Sequence, residues 1–180
     1  MGFAGSNLNF FVNFDRYFEK PAITEISTNY RSIKSIVDAG AALIKNNSGC
    51  QIPKQSVARR SELTPIRVLS STHDKDFERK YHEQIVDDCL DQIADHIKKG
   101  CRPRDILVLN RYRSSYAVKV FIERAKERTM DFAFDNEFAK ENQFRLMTVH
   151  KSKGLEAKVV FILDVTRGAY GFPCEMEDSS

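Results

Sequence analysis

Between Phe144 and Val165 the chain reads FRLMTVHKSKGLEAKVVFILDV, two apolar β-type runs bracketing a short basic turn that contains a glycine. The second run, from Val159 to Val165, carries no turn or breaker residue, as expected of a strand buried on both faces of a parallel sheet. The intervening residues Thr148, His150, Lys151, Ser152, Lys153, Gly154 and Glu156 bring a hydroxyl, an imidazole, ammonium groups and a carboxylate together. They fall where a parallel sheet presents its carboxyl ends, the edge at which open α/β sheets bind ligands.

The rest of the chain supplies the units such a sheet needs. Leu8 to Tyr17 reads as a short helix, Ala22 to Ser27 as a β-type run, and the residues after Ser32, the expected cap, as a helix with Ile33, Ile36, Val37, Ala41 and Ile44 on one face. Residues 46–65, polar with Asn-Asn-Ser-Gly and two prolines, form a long surface connection in which Arg59 and Arg60 are solvated charges. Ile66 to Ser70 is a further strand. A long amphipathic helix then runs from about Asp74 to Lys99, with Tyr81, Ile85, Cys89, Ile93 and Ile97 stepping by four and Phe77 and Leu90 widening the stripe. Its acids and histidines are expected to face solvent, Gly100 ends it, and Pro103 forbids its continuation. Asp105 to Asn110 is a buried strand, and Arg111, Tyr112 and Arg113 emerge at its end. A helix from Ser115 to Arg128 and a short aromatic strand, Met130 to Phe134, come next, and residues 135–143 link back to the central stretch. The βα order predicts a largely parallel α/β sheet.

With 180 residues the chain is one domain's worth, able to bury roughly 70% of its unfolded surface without staples. The four cysteines are scattered and accompany no signal peptide or long apolar run, so a reducing cytoplasm is expected and a membrane is not. Neither they nor the four histidines have ligand spacing, so no metal site is expected. Lys and Arg outnumber Asp and Glu by 28 to 25, a balance that permits a nucleic-acid partner without demanding one.

The segment TVHKSKGLE resembles motif V of the UvrD/Rep/PcrA-type superfamily 1 helicases. Thr148, His150, Lys153, Gly154, Leu155 and Glu156 fall on the pattern T-x-H-x-x-K-G-L-E, and Gly171, Phe172 and Pro173 fit the Gly-Phe-Pro run beyond the next strand. The run Thr28, Asn29, Tyr30, Arg31, Ser32 resembles motif IV of the same helicases. Phe3 to Ser6 is similar to the aromatic-Arg-Gly-Ala tail of motif III, with Ala4 in place of the usual arginine.

The resemblance implies a single second RecA-like domain over residues 1–180, the half of a helicase motor that lacks its own phosphate loop. Tyr30 would stack on the adenine of ATP and Arg31 would reach the γ-phosphate as the catalytic arginine, a task suited to a planar, permanently charged fork. Lys153 and Gly154 would form the turn that admits the nucleotide, and Glu156 would accept hydrogen bonds from the ribose. Thr148, His150 and Arg111 would hold the backbone of single-stranded DNA, and Phe3 would stack on a base. Magnesium would be held mainly by the first RecA-like domain of the same parent chain. The short link at residues 135–143 implies a minimal type without the accessory domain that UvrD and Rep insert there. Travel would be 3′ to 5′ on DNA. Two other readings stand beside this one: a non-catalytic nucleic-acid-binding module, and the motor portion of a helicase-nuclease. Flanking sequence would separate them.

Overall fold

The computed structural model describes residues 8–45, 54–70 and 78–166. They divide into two compact units, Met1–Val68 and Leu69–Ser180. Phe3, Phe77 and the Gly171-Phe172-Pro173 run lie outside the described residues.

In the first unit two short helices, α1 (Leu8–Val12) and α2 (Phe14–Tyr17), precede strand β1 (Thr28–Ile33) and helix α3 (Lys34–Ile44), and β2 (Val57–Arg60) pairs in parallel with β1. Two expectations are corrected in this stretch. The strand expected at Ala22 to Ser27 forms later, because the β-branched and aromatic residues from Thr28 find a ladder partner in β2, Thr28 opposite Val57 and Asn29 opposite Ala58. Ser32 lies inside that strand and caps nothing; the residue before α3 is Ile33, which offers no side-chain cap. Asn29 instead folds back on its own strand, its Oδ1 accepting from the amides of Arg31 and Ser32 at 3.0 and 2.9 Å. That diverts two donors from the ladder, and the register is irregular between Asn29 and Ile33.

The surface connection expected at 46–65 therefore contains a strand, whereas Ile66 to Ser70 forms none and leaves Ile66, Val68 and Leu69 exposed. A two-stranded sheet is too small to cover the expected apolar face of α3, of which Val37 is buried while Ile36 and Ile44 stay exposed.

The second unit is built on a four-stranded sheet of order β4-β5-β3-β6, comprising β3 (Ile106–Asn110), β4 (Phe132–Phe134), β5 (Phe144–Thr148) and β6 (Val159–Ile162). Every pairing in it is parallel. Helices α4 (Glu78–Lys98) and α5 (Tyr116–Glu127) pack on one face, where Val86, Leu90 and Ile93 of α4 and Val118 and Phe121 of α5 meet Ile106, Val108, Phe144 and Leu146. Phe121 stands edge-on to Phe144 with ring centroids 6.0 Å apart. Alternation along the strands sends Leu107, Arg145 and Met147 to the opposite face, where they too are buried.

The helix ends follow their residues. Gly100 adopts φ +92°, its amide bonds to Ile97 O and that of Cys101 bonds to His96 O, a Schellman stop for α4. Ser115 caps α5 by accepting from the Val118 amide at 3.3 Å. The acids and histidines of α4 are not merely solvated, contrary to expectation. Asp87 and Asp91 hold Arg128 beyond the end of α5, His82 lies 3.4 Å from Asp164, and His96 meets the ring of Phe161 edge-on. The packed helices bring the acidic rim of one alongside the basic end of the other. Cys89 sits in the core, where burial pushes its thiol up to about 12.

Candidate functional site

The carboxyl edge of the four-stranded sheet gathers two turns, one after β3 and one after β5. They sit side by side because Asn110 is paired with Thr148 at the ends of the two strands. Asn110, almost wholly buried, serves both: its main-chain oxygen accepts from the Val149 amide at 3.0 Å, and its Oδ1 accepts from the Tyr112 amide at 2.9 Å and from Ser115 Oγ at 3.3 Å. Beyond it, Arg111 Nε donates to the Tyr112 hydroxyl and its guanidinium lies 5.3 Å from the centre of that ring. The result is a cation carried on an aromatic surface at the sheet edge.

After β5 the backbone coils tightly. Thr148 Oγ1 accepts from the Lys151 amide at 3.3 Å, Thr148 O from the Ser152 amide at 3.1 Å, and Ser152 O from the Leu155 amide at 2.9 Å. A hydroxyl at 148 thus shapes the turn as well as facing its surroundings. Gly154 adopts φ +88°, and the space a Cβ would enter there is open, so the backbone is approachable as well as glycine-dependent. His150, Lys151, Lys153 and Gly154 are exposed, and Glu156 is exposed on the segment that leaves the turn.

From Gly154 the chain returns to the amino end of the sheet. Buried Arg145 on β5 donates to the Glu156 carbonyl at 2.7 Å, which pins the return segment over the sheet. The return ends where the Lys158 amide bonds to Asp105 O and Lys158 Nζ reaches the Asp105 carboxylate, both at 2.9 Å. Asp105 also pairs with Arg102 at 3.0 Å. Hydrogen bonds from Arg102 and Lys158 hold the Asp105 carboxyl below the usual carboxylate range.

Of the residues singled out by sequence, the second unit brings Arg111, Thr148, His150, Lys153 and Gly154 to one edge, with Glu156 on the return segment. Tyr30 and Arg31 belong to the first unit, consecutive on β1 and both exposed, the tyrosine at 69%. Asn110, Asp135 and Arg145, which build or brace the turns, are site residues that sequence reasoning misses. Asn110 and Arg145 read as strand positions in an apolar context, and no local pattern marks their partners. Among the described residues no cluster of metal-ligating side chains occurs and no helix is long and apolar enough to cross a membrane.

No protein-family model matches the chain. Aligned over 177 residues, 98% of its length, it is 26% identical to DNA helicase IV of Escherichia coli. This chain is homologous to UvrD/Rep-type helicases. Shorter stretches carry stronger identity to the same group: 43% over 56 residues with an ATP-dependent helicase/nuclease subunit of Enterococcus faecalis, and 46% over 46 residues with the corresponding protein of Streptococcus suis. These cover 31% and 26% of the chain. The chain spans 22% of the length of DNA helicase IV and 4% of each helicase/nuclease protein. Its α/β fold, parallel sheets flanked by helices, is compatible with the RecA-like domain of such helicases.

Proposed function

We propose that this chain is the second RecA-like domain, residues 1–180, of an ATP-dependent DNA helicase or translocase, contributing half of the ATP site and a single-stranded DNA-binding edge. The observation that carries the proposal is the meeting of Arg111 with the Thr148-to-Gly154 turn at one carboxyl edge, a hydroxyl, an imidazole and cations on two adjacent loops. That composition suits sequence-independent contact with a phosphate backbone. Thr148, His150 and Arg111 hold the strand, and Phe3 stacks on a base.

The exposed ring of Tyr30 and the neighbouring guanidinium of Arg31 are chemically suited to a purine and a terminal phosphate. In this reading Tyr30 stacks on the base and Arg31 stabilises charge on the transferred phosphoryl group. Lys153 and Gly154 admit the nucleotide, and Glu156 orients the ribose. Magnesium is held mainly by the first RecA-like domain of the parent chain, which closes against this one. The turn after β5 then touches both ligands, so that nucleotide-driven closure shifts the DNA-gripping edge. Movement is 3′ to 5′, in the cytoplasm, in the service of DNA repair. The helicase/nuclease names of two relatives favour a second version of the same reading, the motor portion of a helicase-nuclease.

The test is ATP hydrolysis by the full-length protein with and without single-stranded DNA. Arg31→Ala is expected to lower turnover by about 10³-fold or more, the scale of an arginine that stabilises phosphoryl transfer. Thr148→Ala is expected chiefly to weaken stimulation by DNA, with Thr148→Ser retaining it. If neither Arg31→Ala nor Thr148→Ala has an effect in folded protein, the proposal fails.

A further inference from the structure

Asp135 follows β4 and bonds it to β5, its amide donating to Leu146 O at 2.8 Å. Its backbone is left-handed, φ +55°, and its side chain is only 8% exposed. Two cations converge on the one oxygen Oδ2: Lys151 Nζ at 2.9 Å and Arg113 at 3.6 Å. Lys151 Nζ also donates to the Asp135 carbonyl at 2.9 Å, and the Arg113 guanidinium lies 5.3 Å from the centre of the Phe134 ring. The buried Oδ1 has no hydrogen-bond partner among the described residues.

The carboxylate is therefore fixed by the sheet, while its partners are long surface side chains, Lys151 54% and Arg113 67% exposed. These two cations arrive from the same pair of turns that carries Arg111, Thr148 and His150. A phosphate entering that edge would compete with Asp135 for both.

Building on the single-stranded DNA reading above, we infer that Asp135 determines which cations of this edge are available to nucleic acid. It withholds Lys151 and Arg113, so the edge grips phosphate through fewer charges than its sequence offers. A motor that must release the strand at every step gains from such a limit, since each added phosphate contact deepens binding and its dependence on salt.

The experiment is fluorescence anisotropy of a labelled oligothymidylate titrated with this 180-residue chain between 50 and 200 mM KCl. Asp135→Asn is expected to bind more tightly. Its plot of log affinity against log salt should be steeper by about 1.4, two single-strand phosphate contacts, which is about sevenfold across that range. Lys151→Gln and Arg113→Gln are expected to change wild-type affinity less than about twofold, and each to remove about half of the added slope when combined with Asp135→Asn. An unchanged slope or weaker binding in folded Asp135→Asn overturns the inference. Should that variant not fold, the two cation substitutions in the wild-type background decide alone: a slope lowered by about 0.7 in either one overturns it. Loss of Asp135 control with wild-type binding intact leaves the DNA reading standing. A wild-type chain that shows no salt-dependent binding removes both.

Discussion

Asp105 closes the amino end of the site's framework, tying Arg102 before β3 and Lys158 before β6 to one carboxylate. Because its folded pKa is depressed, the stability it contributes is present above the ordinary aspartate value and is lost as pH falls through the depressed one. Arg102 and Lys158 are each more than half exposed, so the contribution is modest, about 1 kcal/mol at neutral pH. Asp105→Asn should lower stability by that amount in urea titrations at pH 7 and make progressively less difference as pH falls through the depressed Asp105 value. Equal losses at every pH would show that the charge is not what matters. At this scale sequence is an uneven guide. Thr148, His150, Lys153 and Gly154 stand out because a turn with their chemistry interrupts two apolar runs, whereas Asp135 and Arg145 act through partners distant in the chain, and nothing local announces such a partner.

Among elements, those with a strong period and a complete set of stop signals lie where sequence puts them. The Gly100 stop, the Ser115 cap and the buried strands β3 and β5 are of this kind. The expected stripe on α4 is buried at Cys89, Leu90 and Ile93 and extends to Val86, since packing on α5 and the sheet together demands a wider face. Short runs are less legible. Ala22 to Ser27 and Ile66 to Ser70 have β-type composition, yet a strand exists only where a neighbour supplies a ladder, and β2 supplies it elsewhere. The helix-to-sheet contact rests on Phe121, fully buried against Phe144. Phe121→Ala should cost about 3–5 kcal/mol in denaturant unfolding, as removal of a large buried ring does. A loss below about 1 kcal/mol would mean the core collapses to fill the gap.

Taken whole, the molecule distributes its burial unequally. The second unit holds nearly all of the buried apolar residues described, while the first contributes Val37. Native-state hydrogen exchange should follow that division, with amides of β3, β5, α4 and α5 protected to the level of global unfolding and those of β1 and β2 exchanging through far smaller openings. Uniform protection across both units would contradict it. The homology to helicases is legible because motif V occupies one contiguous stretch; the division into two units is not, because composition changes little across Val68.

The order β4-β5-β3-β6 also carries a history of assembly. β3 and β5 can pair as soon as β5 exists, but the turn after β5 acquires its return path only when β6 docks beside β3, Val159 meeting Ile106 across a long loop of chain. On a ribosome, everything up to Thr148 can settle before the strand that draws the turn shut has emerged. The turn after β5 thus takes its final shape late, completed by residues that come after it.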